Sequence, residues 1–316
     1  MGFASPHWKS GVGCRSAVVP GLANLRRLTS VSRPRKARKR QTMMRNSSMR
    51  TFTENPPKLP GTRPGGTHTE REASARVRQM FSRIAPRYDF LNHLLSFSLD
   101  RVWRRRTALK FRRTLRRTDA RVLDICCGTG DLTFALERVR VRELRDATAH
   151  RTPLFGSDFA QPMLDRAHKK AAAHSRSAIF TTADALNLPF ADSSFDLVTT
   201  AFGFRNLVNY EAGLREFARV LKPGGELAIL EFSEPGVGMT AAMFRMYFRQ
   251  VLPRIGAAIS GSKEAYSYLP GSVAKFPTSA ELAALMKKVG FTDLTIARWN
   301  FGSVLLHAAS LPKTKV

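Results

Sequence analysis

The stretch Arg121-Val-Leu-Asp-Ile-Cys-Cys-Gly-Thr-Gly-Asp131 decides the fold. Val122, Leu123 and Ile125 make a short apolar run, and the composition then turns to Gly128-Thr-Gly130. Such a run bounded by glycines suits a strand buried on both faces of a parallel sheet. Glycine removes the Cβ, so the turn can be tight and a ligand can lie almost on the backbone. Asp131-Leu-Thr-Phe-Ala-Leu136 then reads as the first turns of a helix whose free N–H groups point into that turn. The unit expected is strand, glycine loop, helix, shaped to grip a nucleotide-like ligand.

The loop narrows the ligand. A dinucleotide fingerprint needs three glycines as G-x-G-x-x-G, with pyrophosphate seated on the helix N-terminus. Here there are two glycines, Gly128 and Gly130, and Asp131 stands where that phosphate would come closest. A carboxylate repels pyrophosphate and tolerates a cation. S-adenosylmethionine, a sulfonium carrying an amino acid, therefore fits better than a dinucleotide.

Further strand candidates follow in a βα rhythm: Leu154–Asp158, Ala178–Asp184, Phe195–Phe202 and Glu226–Phe232. Helices are expected to begin near Pro162, Tyr210 and Thr240, with a short one over Glu281–Val289. Leu294–Ala297 and Val304–Ala308 read as closing strands. Alternating strands and helices imply an α/β fold with a doubly wound, mostly parallel sheet of about seven strands. Ahead of it, Glu70–Ala85 has Val77, Met80, Phe81 and Ile84 at helical spacing. Pro86 should end that helix, and Tyr88-Asp-Phe-Leu-Asn-His-Leu-Leu95 should open another.

Charge is unevenly spread. The chain has 316 residues, 43% hydrophobic, with a net charge of +28. Twelve of its 52 Lys and Arg lie in residues 1–50, which hold no acid. No stretch reaches the roughly 18 uncharged apolar residues of a membrane span. Residues 1–69 read as a disordered basic extension, and 70–312 as the folded domain. The extension resembles an organelle transit peptide, or reading frame ahead of a true start at Met43, Met44 or Met49; a nucleic-acid-binding tail is a third reading. Residues 101–117 hold nine basic residues in seventeen, interleaved with Val102, Trp103, Leu109, Phe111 and Leu115. That run is either a solvated face on a core-packing helix or a surface for anionic lipid headgroups. Cys14, Cys126 and Cys127 make neither a disulfide framework nor a metal set, so no metal is expected.

In an open α/β sheet the ligand lies beyond the carboxyl ends of the strands. Asp158 ends the second strand, where its two oxygens can accept from both ribose hydroxyls. Asp184 ends the third, with the Ala185 N–H open to an adenine ring nitrogen. Gly203-Phe-Arg-Asn206 follows the fourth.

At these residues a resemblance becomes plain. Gly128-Thr-Gly-Asp131, Asp184-Ala-Leu-Asn-Leu-Pro-Phe190, Ala201-Phe-Gly-Phe-Arg-Asn206, Arg219-Val-Leu-Lys-Pro-Gly-Gly225 and Leu230-Glu-Phe-Ser233 look like the class I, Rossmann-like S-adenosylmethionine-dependent methyltransferases. More narrowly, they resemble the UbiE and MenG type of quinone-biosynthesis C-methyltransferases. Met80-Phe-Ser-Arg-Ile-Ala-Pro-Arg-Tyr-Asp89, Asn92-His-Leu-Leu-Ser96, Trp103-Arg, Val251-Leu-Pro-Arg-Ile-Gly256, Tyr266-Ser-Tyr-Leu269 and Phe276-Pro277 extend that match outside the cofactor core.

The resemblance implies S-adenosylmethionine contacts at Thr129, Asp158, Asp184 and Ala185, beside Gly128 and Gly130. Ala201 stands where the family often has a serine. The charged run Arg138–Arg151 looks like a loop insertion before the second strand.

The reaction implied is methyl transfer to a ring carbon of a demethylmenaquinol. The alternatives are the benzoquinol precursor of ubiquinone, an RNA-directed methyltransferase on the same fold, or a non-catalytic subunit of a quinone-synthesis complex. Such chemistry needs alignment and a base or phenolate-stabilising group. Arg205 and Asn206 are the first candidates, then Asp89, Tyr88 and His93, with Tyr266 and Tyr268 against the quinol. The partners expected are the prenylated quinol and membrane lipid, with no nucleic acid and with self-association open. The expected location is peripheral at the cytoplasmic face of a bacterial membrane, or a mitochondrion or chloroplast if the N-terminus is a transit peptide.

Overall fold

A computed structural model describes residues 61–144, 151–234 and 263–313, together with positions 242, 246, 247, 250 and 254. All fall within one unit of the chain, Asn55–Val316. Residues 1–60, the helix expected near Thr240 and Tyr266's side chain lie outside the described residues.

Seven strands form one sheet: β1 (Val122–Ile125), β2 (Phe155–Asp158), β3 (Ile179–Thr182), β4 (Phe195–Ala201), β5 (Leu221–Phe232), β6 (Thr292–Trp299) and β7 (Val304–Ser310). Their order is β3-β2-β1-β4-β5-β7-β6. β1 to β5 pair in parallel, and β7 runs antiparallel to both β5 and β6. This is the expected doubly wound fold, with its strand order reversing between β1 and β4.

Alternation along the strands builds a core on each face. Leu123, Ile125, Val198, Leu227 and Ile229 point to one side, against α7 (Tyr210–Val220) and α9 (Ser279–Val289). Val122, Leu197, Ala228 and Leu230 point to the other. There they meet α3 (Leu99–Lys110), α4 (Arg112–Leu115) and α5 (Asp131–Leu144). α6 (Gln161–Ala173) links β2 to β3 and carries Pro162 in its first turn.

Ahead of the sheet come α1 (Glu70–Ile84), a 3-10 turn over Ala85–Arg87, and α2 (Tyr88–Leu95). α1 opens with a capping box between Thr69 and Glu72 and buries Val77, Met80 and Ile84. Pro86 marks the break as expected.

Two expectations change. Of the run Arg138–Arg151 expected as a loop insertion, 138–144 continue α5 with Val139 and Arg140 buried, and 145–150 lie outside the described residues. The Arg140 guanidinium earns its place by donating to the carbonyls of Ala120 and Thr152, both at 2.6 Å. The second strand's register is therefore secure, with Asp158 opposite Thr182. The basic extension does not reach residue 69 either. Thr62 is buried, and its N–H donates to the Leu207 carbonyl at 2.8 Å. Gly61 lies so near Val208 that a Cβ would sit 2.1 Å from that residue's carbonyl carbon. A further helix, α8 (Lys263–Lys275), for which the sequence raised no expectation, contains Pro270.

Candidate active site

A cleft opens at the carboxyl ends of β1 and β4, the point where the strand order reverses. Its floor is Cys126 and Gly128, and α1 and α2 wall one side with Ser74, Phe81 and Tyr88. Asp158, Asp184, Ala185 and Asn206 also line it. Two residues at its floor, Cys126 and Phe202, hold left-handed backbones at φ +54° and +59°. Such strain in non-glycine residues collects at working sites.

The two loop glycines serve different ends. Gly128 has φ +56°, and a Cβ there would meet only a Tyr88 ring carbon at 3.9 Å, so its open side faces the cleft. Gly130 has φ +85°, and a Cβ would come within 2.8 Å of Phe134 and 3.1 Å of Phe180. Gly130 thus lets the loop seat on the sheet, and the ligand contact expected of it is not on the cleft lining.

Asp158 is buried at the end of β2. Its oxygens accept from the N–H groups of Gly128 and Ala160, both at 2.9 Å. Burial pushes its carboxyl up to about 6, and those backbone bonds resist the rise. Each oxygen keeps further acceptor capacity. Asp184 is exposed at the rim, its carboxylate accepting from the Leu186 N–H at 2.9 Å, beside buried Ala185. This donor and acceptor set fits a nucleoside diol and base, and a cation is not repelled.

Thr129 faces elsewhere. Its hydroxyl donates to Asp89 and accepts from Lys170 Nζ at 2.9 Å. Lys170 also pairs with Asp89 at 2.9 Å and with Asp131 at 2.7 Å. The helix α2 is thereby pinned to the glycine loop. Asp89, expected as a base, is held by this lysine and is not among the cleft-lining residues.

Behind the loop, His93 Nδ1 lies 2.8 Å from Asp100, which also binds Arg104; Arg104 reaches Asp131 at 3.8 Å. Burial raises the carboxyls of Asp100 and Asp131, but Arg104 and His93, joined by the Ser96 hydroxyl at Asp100 and by Lys170 at Asp131, together outweigh it and leave both below the usual range. His93, Asp100 and Asp131 come close enough to hold a metal ion. Arg104 already supplies the positive charge there.

Arg205 and Asn206 part company. The Arg205 guanidinium is buried, 2.7 Å from Glu231, with the Phe202 carbonyl and Ser272 as further partners. Burial lowers its pKa, and Glu231 together with Tyr88 and Tyr268 outweighs that and leaves it raised. The cleft lining omits Arg205 and includes Asn206. Tyr268 donates to Asn206 Oδ1 at 3.1 Å and shares a 2.9 Å hydrogen bond with the Thr62 hydroxyl. Sequence reasoning missed Thr62 and Glu231. A glycine-threonine pair in a Pro-rich run carried no apolar period, and Glu231 read as one more strand residue.

The chain Thr62–Tyr268–Asn206 makes a prediction. Removing residues 1–48 is expected to leave turnover intact. Removing residues 1–64 takes Thr62 from Tyr268 and should lower kcat by about tenfold to a hundredfold, as a misplaced polar group does. Steady-state turnover of the two truncated proteins checks this; equal rates would contradict it.

Asp124, in β1 directly below the cleft, makes a second. Buried on all sides, its carboxyl is pushed up to about 7, against the pull of hydrogen bonds from Thr133 and Thr199 at 2.7 and 2.9 Å. The folded state therefore binds this proton more tightly than the unfolded state does. Its stabilising contribution is complete below the ordinary carboxylate range near 3.8 and is lost as pH rises through about 7. The loss is on the order of 4 kcal/mol. Asp124→Asn should flatten the fall in Tm between pH 4 and 7, roughly the titration window. Parallel Tm profiles for the two proteins would contradict it.

Comparison with known proteins agrees with this geometry. The ubiE/COQ5 methyltransferase family matches residues 69–311. A protein of Deinococcus radiodurans named demethylmenaquinone methyltransferase is 48% identical over 215 residues, 68% of this chain and 84% of that protein. One of Thermus thermophilus with the same name is 45% identical over 233 residues, 74% of this chain and 100% of that protein. A Geobacter sulfurreducens protein named ubiquinone/menaquinone biosynthesis C-methyltransferase UbiE is 42% identical, covering 75% of this chain and 88% of its own length.

Proposed function

The chain belongs to the ubiE/COQ5 methyltransferase family, and from that premise we propose that it methylates a ring carbon of a prenylated demethylmenaquinol, using S-adenosylmethionine. One observation carries this reading: a single cleft joins nucleoside-type acceptors, Asp158 and Asp184, to an amide, Asn206, held by a tyrosine. The demethylmenaquinone methyltransferases of D. radiodurans and T. thermophilus support the choice of acceptor.

When bound, S-adenosylmethionine supplies an electrophilic methyl group on its sulfonium. The chain's residues do the rest. Asp158 accepts the ribose hydroxyls, Ala185 offers its N–H to the base, and Gly128 lets both come close. The acceptor carbon becomes nucleophilic as the hydroxyl beside it loses its proton. Negative charge gathers on that oxygen as its proton leaves and passes into the ring carbon as the new C–C bond forms and the S–CH3 bond breaks. The ring carbon then gives its proton to water, and that C–H pair restores the aromatic ring.

Asn206 donates through Nδ2 to that oxygen, because Tyr268 occupies its Oδ1 and the Phe202 carbonyl lies only at the 3.5 Å limit from Nδ2. Tyr88 enters as a neutral donor, since burial pushes its phenol up. Arg205 is a positioning residue, anchoring the turn that presents Asn206. A prenyl chain confines the acceptor to a membrane, so the enzyme works peripherally at its inner face.

The gene, expressed in a bacterium that lacks its own such enzyme and accumulates demethylmenaquinone, should restore menaquinone in lipid extracts. Persistent demethylmenaquinone, with the protein present and binding S-adenosylhomocysteine, would overturn the acceptor assignment.

A further inference from the structure

The helix that walls the cleft with Tyr88 turns a different face to solvent. Phe90 and Leu94 lie one turn apart on α2, and Phe97 follows in the turn just past the helix; the three are 61%, 42% and 75% exposed. The stripe continues on α3 with Leu99, Val102 and Leu109, all exposed. The opposite side of α3 buries Asp100, Trp103, Arg104, Thr107 and Ala108. An ordinary surface helix shows solvent its polar residues and keeps the apolar ones inside. α3 shows solvent leucine and valine as well.

What surrounds the stripe is uniformly positive. Arg101, Arg105, Arg106, Lys110, Arg112 and Arg113 are exposed between and after its apolar members. Among the described residues none of the six has an ion-pair partner. Their neighbours Arg104, Arg116 and Arg117 all have one.

The turn joining the helices adds an independent sign. Phe97 and Ser98 both hold left-handed backbones, at φ +52° and +59°. This conformation disfavours a bulky residue. It is enforced by Ser98 N–H to the His93 carbonyl at 2.6 Å and Leu99 N–H to Ser96 at 3.0 Å. The strained turn holds a phenylalanine ring that is largely exposed, with the Tyr247 ring tilted against it at a centroid distance of 6.0 Å. Met246, 54% exposed, lies beside that tyrosine in sequence.

We propose that the outward face of α2 and α3 docks on an anionic phospholipid bilayer, with the apolar stripe in the interface and the arginines among the headgroups. This rests on the membrane-confined acceptor read above and names the surface that meets the membrane. Lipid is the occupant that satisfies both halves of the pattern. Interfacial helices gain from buried apolar side chains and from basic residues near anionic lipid together. Nucleic acid would engage the cations but leave Leu94, Leu99, Val102 and Leu109 unsatisfied, since aliphatic side chains cannot stack on bases. A second copy meeting this face by a two-fold axis would set six cations against their own images. The arrangement also has a consequence for access: Tyr88 and Phe90 stand two residues apart on one short helix, so the cleft wall and the docking face are one element.

Sedimentation of the full chain with vesicles tests this without any substrate. Binding is expected to vesicles containing phosphatidylglycerol, to weaken steeply with added salt, and to be far weaker on phosphatidylcholine alone. Arg101→Glu, Arg105→Glu and Lys110→Glu together should lower partitioning about a hundredfold. Phe90→Ser with Phe97→Asn should lower it about tenfold, and asparagine tolerates the left-handed turn, so the fold survives.

Unchanged partitioning in either variant would overturn the proposal. So would equal binding to both vesicle types, or concentration-dependent self-association that the same substitutions abolish. Methyl transfer to a short-chain, water-soluble acceptor by these variants should match wild type. Its absence in the wild type itself would instead indict the acceptor assignment.

Discussion

Replacing Glu231 with alanine is expected to cost about 3–5 kcal/mol of stability, because it leaves the buried Arg205 guanidinium without its carboxylate. Both partners are nearly inaccessible, 5% and 1% exposed. Exchanging the pair for apolar residues, Arg205→Met with Glu231→Leu, should return most of that loss, since no charge then remains to be desolvated. Denaturant unfolding of the three proteins measures it, and a loss below about 1 kcal/mol in Glu231→Ala would mean that the pair is not buried in solution.

The same proteins decide what Arg205 does. If it only holds the turn in front of Asn206, turnover should follow folding and recover largely in the double variant. If its charge acts on the acceptor oxygen, the double variant should fold yet remain about 10²–10³ slower.

The second large effect falls on Asp158. Asp158→Ala should weaken S-adenosylhomocysteine binding by about 1–3 kcal/mol, because two ligand hydroxyls lose their acceptor and the Gly128 N–H loses its anchor. Asp158→Asn should lie between, keeping one acceptor oxygen. A pH dependence belongs with it. Burial pushes this carboxyl up to about 6, so it is ionised, and a full acceptor, only above that value. Affinity should therefore fall as pH drops through about 6, and the fall should vanish in Asp158→Asn. Calorimetric titration across that range measures both, and unchanged affinity in a folded Asp158→Ala protein would remove the residue from the ligand site.

Much of this was written in local pattern. Most of the strands hold an apolar run between turn residues, and Asp158 and Asp184 stand at or just past the ends of β2 and β3. That is why Asp158 and Asp184 could be placed on the cleft from the sequence alone. Asn206 follows for the same reason, being three residues past Gly203. What pattern could not supply was the direction of a side chain. Arg205 and Asn206 are adjacent, yet one turns in to Glu231 and the other out to the cleft, and only the partner across 26 residues decides it. Asp89 reads as a free carboxylate until Lys170, from a helix 81 positions on, is brought against it. Gly130 and Gly128 look equivalent until the two phenylalanines packed on the former are in place. α8 carried no expectation at all, and it is helical even though Pro270 lies within it, a residue that by itself disfavours a helix interior.

The claim that matters most is that this cleft moves a methyl group onto the ring of a demethylmenaquinol. Its most direct test is one reaction mixture: purified protein, S-adenosylmethionine with a deuterated methyl group, and a reduced short-chain demethylmenaquinone. The account predicts menaquinol carrying the intact labelled methyl on a ring carbon, formed faster than any product from the benzoquinol precursor of ubiquinone offered under the same conditions. Label found on the benzoquinol alone, on added RNA, or on neither quinol while S-adenosylhomocysteine still binds would contradict it.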